Sequence, residues 1–206
     1  MRNAGLSRER VLRAALELVD EEGLSQLSMR RLGASLGVEA MSLYRYVANK
    51  RELLDALHGA VLDEVALPAP GGGWEASLRA LARAFRVALV RHPNTLPLFA
   101  TRPAVAASSL AWVESALALL SDAGLPQGEQ LGALHAVVAF VVGTCQAQAA
   151  WETLDPEPVD YAGLPPERYP NLARLVPLLA AEDPEAEFEQ GLELWIRGLR
   201  ARLAEL

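Results

Sequence analysis

Apolar residues recur every three or four positions along most of this chain. Over residues 7–22, SRERVLRAALELVDEE, Val11, Ala14, Ala15, Leu18 and Val19 fall on one stripe, with Ser7 placed as cap and Gly23 as terminator. SMRRLGASLG starts a second helix at Ser28, sets Leu32 and Leu36 at i, i+4, and stops at Gly37. The next run predicts a short helix from about Glu39 to Val47, with Leu43 and Val47 facing inward. Asn49 then caps a longer helix, KRELLDALHGAVLDEVAL, with Glu52 in the reciprocal capping position. PAPGGG, residues 68–73, reads as a linker.

Past the linker the helical period returns. WEASLRALARAFRVALVRH is amphipathic and ends at Pro93, and PNTLPLFATRP is a short turn-rich segment. AVAASSLAWVESALALLSDAG predicts a helix ended by Gly124. QGEQLGALHAVVAFVVGTCQAQAAWE is apolar on nearly all sides and so needs cover all round. Residues 153–170 hold five prolines and read as a loop, and NLARLVPLLA as a short helix kinked or interrupted at Pro177. After Pro184 a last helix lines up Phe188, Leu192, Trp195, Leu199 and Leu203. There is no internal repeat, and sparse β-branched residues favour helix.

Composition narrows the class. At 206 residues and 51% hydrophobic, the chain can build one large domain or two small ones around a sizeable core. A single cysteine allows no intrachain disulfide, and Cys145 among small apolar residues reads as an inert buried thiol rather than a redox group. The start of the chain lacks the basic–apolar–small pattern of a secretory leader. The long apolar helix carries His135, Gln146, Gln148 and many small residues, which suits a buried helix better than a membrane span. A cytoplasmic protein with no membrane partner is expected. Charge is uneven: residues 1–51 carry nine basic and six acidic side chains, net +3, while residues 52–206 carry net −10 of the total −7. A basic head on an acidic body is the asymmetry expected when only one end meets phosphate.

Two short helices joined across Gly37, behind a supporting helix, form the pattern of a helix-turn-helix, whose second helix enters a DNA major groove. With Leu43 and Val47 inward, Ala40, Met41, Ser42, Tyr44, Arg45 and Tyr46 remain for the outward faces. Arg45 can fork onto a guanine, Ala40 and Met41 can meet a thymine methyl, and Ser42 can donate to either base type. Tyr44 and Lys50 suit phosphate oxygens, and Ser28 and Arg30 would reach the neighbouring backbone. Either tyrosine could instead pack between helices.

The stretch GLSQLSMRRLGASLGVEAMSLYRYVANKRELLDAL resembles the DNA-binding head of the tetracycline-repressor (TetR) family: the Leu36-Gly37-Val38 turn, the Leu43-Tyr44 pair, the Asn49-Lys50 cap and Leu53-Leu54. That resemblance implies DNA contacts at Arg30, Ala40, Met41, Ser42, Tyr44, Arg45, Tyr46 and Lys50. Two positions depart from the pattern. Gly33 stands where the family commonly has alanine, costing roughly 1 kcal/mol unless a backbone packs closely there. Met41 replaces the proline of the tetracycline repressors themselves. FRVALVRHPNTLPLFATRP and FEQGLELWIRGLRARL resemble the C-terminal domain of the tetracycline repressor subgroup. The fold implied is all-α with about ten helices: a DNA-binding head over 1–50, a connecting helix over 51–67 and a ligand-binding and dimerisation body over 74–206. The resemblance further implies a homodimer, its eighth and tenth helices pairing in a four-helix bundle, on a near-palindromic double-stranded operator.

In the tetracycline repressors a drug–magnesium complex is held by histidines and a glutamate. Those metal positions fall here on Leu98, Ala139 and Ala147, none of which ligates a metal, and the drug-gripping asparagine falls on Leu81. Neither metal nor cofactor is therefore expected. The remaining candidate lining is Leu81, Phe85, Leu98, Phe99, Trp112, Val113, Ala116, Leu117, Val138 and Val142, with Thr101 and Arg102 as polar handles. It suits a mostly hydrophobic effector, aromatic or polycyclic among the candidates; any one of these residues could equally be plain core. Phe85, Thr101 and Arg102 have support from the resemblance by position. The chain shows no nucleophile–base pair, phosphate loop or ligand cluster, so an enzyme is not expected. An activator, a ligand-independent regulator and a protein-binding head stay open as alternatives.

Overall fold

Side-chain caps decide where the chain turns helical. The computed structural model describes residues 6–68, 71–154, 163–179 and 183–206. Ser7 Oγ accepts from the Arg10 amide at 3.2 Å to open α1 (Arg8–Glu22), and Ser28 Oγ accepts from the Arg31 amide at 3.2 Å to open α2 (Met29–Ser35). The next helix, α3, spans only Ala40–Leu43, shorter than its sequence pattern suggests, because the Tyr46 and Val47 amides both turn back onto the Leu43 carbonyl. Asn49 Oδ1 takes the Glu52 amide at 2.9 Å and opens α4 (Lys50–Asp63), which stops short of the predicted Leu67. Glu52 reaches back to the Ala48 amide at 2.7 Å, one residue before the cap, and also receives Arg8 at 2.9 Å. Arg8 donates to the Tyr46 carbonyl at 2.8 Å as well, lacing α1 to the end of the α3 turn. These bonds, the Ala48 amide first, hold the Glu52 carboxyl below its ordinary value.

Two hydrophobic clusters result. In the head, Val11, Ala15, Leu18, Val19, Leu27, Leu32, Leu43 and Val47 are buried together with Leu53 and Leu57 of α4. The α2–α3 turn is set by backbone rather than side chains. Gly37 sits at φ +69°, a region that favours glycine. At Gly33 a Cβ would lie 2.8 Å from the Val38 carbonyl oxygen and 3.1 Å from the Ala40 amide nitrogen. The close approach anticipated for Gly33 is there.

The body is built from α5 (Gly73–Arg91), α6 (Leu96–Thr101), α7 (Ala107–Asp122), α8 (Gln127–Leu154), α9 (Pro170–Leu179) and α10 (Pro184–Ala204). Its core joins Leu78, Phe85, Leu89, Trp112, Leu120, Leu134, Val141, Phe188 and Ile196 from four of these helices. The segment expected to be merely turn-rich supplies a 3-10 turn, Pro93–Thr95, and the whole of α6. Helix α9 continues through Pro177. Residues 69–70 of the predicted linker and 155–162 of the predicted loop lie outside the described residues.

His92, at the end of α5, fastens head to body. Its Nδ1 lies 2.8 Å from Asp20 Oδ2 on α1 and its Nε2 3.2 Å from Glu64 Oε1 after α4. Asn94 donates to the Asp20 carbonyl at 3.0 Å. Along the body, three arginines of α5 grip three glutamates of α10 in antiparallel order: Arg79 with Glu193, Arg83 with Glu189, Arg86 with Glu185. Arg200 returns from α10 to Glu75.

Two outcomes follow from these contacts. Gly33→Ala should cost about 1–3 kcal/mol in denaturant unfolding, since the added methyl meets backbone that cannot step aside. Hydrogen bonds from Arg200, Arg83 and Arg79 respectively hold Glu75, Glu189 and Glu193 below the ordinary carboxylate value of 4.5. A carboxyl depressed on folding stabilises above its unfolded pKa and loses that contribution as pH falls through the folded one. The melting temperature should therefore drop on acidification below about pH 4.5. Because the ladder is half-exposed to solvent the effect is modest, and it should be smaller still in a Glu189→Gln, Glu193→Gln double variant.

Candidate functional site

The α3 turn presents an unusual outer surface. Met41 is 74% exposed and Tyr44 43%, while Arg45, Lys50 and Arg30 are also exposed. Ala40 and Ser42 are half-buried. Tyr46 is half-buried too and packs against the head core, so of the two tyrosines it is Tyr44 that stands clear. Ser28 is half-buried and its hydroxyl is engaged as the α2 cap. Leu43 and Val47, 0% and 1% exposed, hold the turn from beneath. A short turn anchored by two buried side chains, with a methionine, a tyrosine and cations outward, can offer apolar, hydrogen-bonding and charged contacts to a groove.

The body encloses a cavity between α5, α7, α8 and α10. Leu78, Leu81, Ala82 and Phe85 form one wall; Trp112, Ala116 and Leu120 a second; Leu134, Val137, Val138 and Val141 a third; Trp195 closes it. Every one of these side chains is apolar or aromatic, and none carries a charge. Space not filled by atoms amounts to about 380 Å³, yet only about 20 Å³ admits the centre of a water molecule. The cavity is contracted: about 20 Å³ is room for little more than one water and lies far below the size of small-molecule sites. An occupant has to push the walls apart.

Five of the predicted lining residues meet there: Leu81, Phe85, Trp112, Ala116 and Val138. Val113, Leu117 and Val142 pack into the surrounding core instead. Phe99 packs against both hydrophobic clusters, and the other three lie away from this cavity. Leu98 is 1% exposed and belongs to the head cluster, because α6 aims it toward α1 and α4. Thr101 is exposed and donates to the Pro97 carbonyl at 2.7 Å, a bond within its own helix. Arg102 is drawn away by Asp55 of α4, with which it forms an ion pair, and by the Arg51 carbonyl at 3.3 Å. Leu78, Ala82, Leu120, Leu134, Val137, Val141 and Trp195 were not among the predicted lining. Their helical spacing marks them as buried, and nothing in that spacing separates a cavity wall from solid core.

An aromatic chain leads from this cavity to the head. Phe85 lies 5.0 Å from Trp112 and 5.5 Å from Phe99, ring to ring, and Phe99 lies 4.4 Å from His58 of α4. His58 Nδ1 is 2.9 Å from Ser109 Oγ on α7. Burial lowers the His58 pKa, with Asp55 opposing and Arg102 assisting. Beside it Gly59 lets α4 approach α7 so closely that a Cβ would sit 2.7 Å from Ser108 Oγ.

Comparison with known proteins resolves the class. Residues 11–57 match the family of bacterial regulatory proteins named for tetR, and residues 67–203 match the tetracyclin repressor-like C-terminal domain. The chain belongs to the TetR family. It is 36% identical over 208 residues to the class D tetracycline repressor of Escherichia coli, covering 98% of this chain and 93% of that one. The HTH-type transcriptional repressor DrrR1 of Streptomyces coeruleorubidus is 40% identical over 149 residues; that match spans 69% of this chain and about half of the relative, 54%. Among solved structures, apo ActR from Streptomyces coelicolor superposes with a TM-score of 0.89 at 30% identity over 98% of both chains. ActR in complex with actinorhodin gives 0.85 at 30% identity, over 97% of this chain and 99% of that one. The protein is a TetR-type transcriptional repressor, and its relatives are regulators rather than enzymes.

Within this TetR-type body one further surface stands out. The side of α8 turned outward carries Gly132, Ala136, Ala139, Gly143 and Ala147 with exposed His135 and Gln146 among them. By length and hydropathy, residues Gln127–Trp151 of this helix would suffice to cross a membrane. On neighbouring α10, Leu194 is 69% exposed, with Gly198 and Ala201 beside it. Among the described residues no group of three or more histidines, cysteines or carboxylates gathers at a point. Cys145, on the inner side of α8, is buried, and desolvation pushes its thiol up to about 11. Since the thiolate is the reactive form, native protein at pH 8 should show no prompt colour with a disulfide thiol reagent. After unfolding it should release one equivalent.

Proposed function

We propose that this repressor binds a near-palindromic operator as a homodimer and is released by a small, neutral, mostly apolar effector held in the α5–α7–α8–α10 cavity. In this reading residues 1–50 read DNA, 51–67 connect, and 74–206 take the effector and dimerise. Met41, Ala40, Ser42 and Arg45 meet base edges, while Ser28, Arg30, Tyr44, Tyr46 and Lys50 fix the register on phosphate and backbone. The outward sides of α8 and α10 pair with their mates. Small residues let helices approach closely, and a face lined by them together with His135 and Gln146 suits another protein helix better than lipid.

The observation that carries the regulatory part is the double attachment of α6. Leu98 is buried in the head cluster while Phe99, its neighbour, packs against both clusters and touches Phe85 of the cavity wall. An effector that spreads the contracted cavity displaces Phe85 and Phe99, and with them Leu98, Arg102 and α4. That changes the spacing of the two reading turns. A difference of about 1–3 kcal/mol between the two conformations gives a 5- to 150-fold change in operator affinity. The uncharged lining favours a neutral ligand, since an ion would lose its hydration without a partner. Solved relatives in complex with actinorhodin and with minocycline support a small-molecule effector as such.

Selection of bound duplexes from a random pool, with and without candidate apolar compounds, tests this directly. The expected product is a pseudo-palindrome. Arg45→Ala should weaken binding to it roughly 5- to 150-fold and relax one base position. Lys50→Ala should weaken binding to all sequences alike and lower the salt slope by about 1. Phe99→Leu should keep operator affinity yet blunt release by any compound that releases the wild type. A strictly monomeric protein, or recognition untouched by Arg45→Ala with Tyr44→Ala, would overturn the reading.

A further inference from the structure

Resting on that cavity as the effector site, one unmatched polar atom narrows the effector's chemistry. Trp112 is 7% exposed and forms part of the cavity wall, and its indole Nε1 is fully buried with no hydrogen-bond acceptor among the described residues. Two other polar side chains of α7 are partnered: Ser109 Oγ with His58 at 2.9 Å, and Ser115 Oγ donating to the Ala111 carbonyl at 2.9 Å. The unpaired buried atoms elsewhere, Asp20 Oδ1 and Arg86 Nε, belong to residues outside the cavity lining. A buried N–H without an acceptor is costly, and a buried indole N–H ordinarily has one.

We infer that Trp112 Nε1 is a specificity-determining subsite that selects neutral aromatic effectors bearing an edge oxygen, such as a ring ketone or quinone. The rest of the wall explains the other half of that class. Phe85 lies 5.0 Å from the indole at 47°, and the remaining lining offers apolar surface with no charge to receive a carboxylate or ammonium. Planar rings find aromatic neighbours, and one oxygen finds one donor. The same indole stands a single helical turn from Ser109, which His58 of α4 holds, so the bond forms on the stretch of α7 braced against the helix that carries the head.

A matched pair of probes isolates the claim. 9-Fluorenone and fluorene share shape and differ in a carbonyl against a methylene, and their affinities for the full-length protein can be read by tryptophan fluorescence or calorimetry. The expected result is fluorenone bound about 5- to 20-fold more tightly by the wild type. In Trp112→Phe that preference should fall to within about twofold, while Trp195→Phe keeps it. A proton–nitrogen spectrum of the unmutated protein supplies a second readout: fluorenone, not fluorene, moves the Trp112 indole N–H resonance downfield. Equal affinity for both probes, or a preference that survives Trp112→Phe with no resonance shift, overturns the subsite while leaving the apolar cavity reading intact. Binding of neither probe overturns both.

Discussion

Leu98 and Phe99 are adjacent on a six-residue helix, and they serve different cores. One is sealed among the leucines and valines beneath the reading turn, and the other rests against the aromatic wall of the cavity. Close packing allows neither to drift alone, since packed interiors respond to displacement as solids and not as oil. The Arg102–Asp55 pair and the carboxylates around His92 add polar ties across the same junction. The head is thus not a bead on a string. It shares hydrophobic contacts with the body, and these make regulation by a remote ligand mechanically reasonable.

The cavity and the head differ in how they achieve their properties. The head relies on capping and on backbone contact at a tight turn, and its outer residues are left unconstrained. The body relies on apolar bulk from four helices, with the arginine–glutamate ladder running between α5 and α10 at its edge. The cavity is apolar throughout and nearly closed. It offers a ligand dispersion contacts and dehydration, both of which grow only as the walls separate around the guest.

Much of this could be read from the amino acids. The caps at Ser7, Ser28 and Asn49 and the buried pair Leu43 and Val47 follow from local rules, and the structure has them where the pattern puts them. The close approach at Gly33 follows from the residue's missing Cβ. What local rules miss is which core a buried residue joins. Leu98 looks like a cavity residue from its neighbours in sequence, but the turn at Pro93–Thr95 and the direction of α6 send it to the head. Thr101 and Arg102 look like ligand handles because the family resemblance supports them by position; their partners, Pro97 and Asp55, are evident only in three dimensions. Trp195 was legible as part of a stripe, and its place at the cavity depends on the packing of α10 against α5, which residues over a hundred positions apart determine. Helix α8 reads as needing cover on every side; among the described residues its outward side has none.

The angle between α2 and α3 is set by main-chain atoms, with Gly33 pressed against the Val38 carbonyl and Gly37 in a left-handed turn. None of the outward side chains from Ala40 to Arg45 takes part in that geometry. The exposed ones, Met41, Tyr44 and Arg45, are therefore free to be exchanged without disturbing the scaffold, much as type is reset in a fixed frame. Under the proposed function, exchange at these positions would retarget the molecule to new sequences while its chemical sensitivity stays the same.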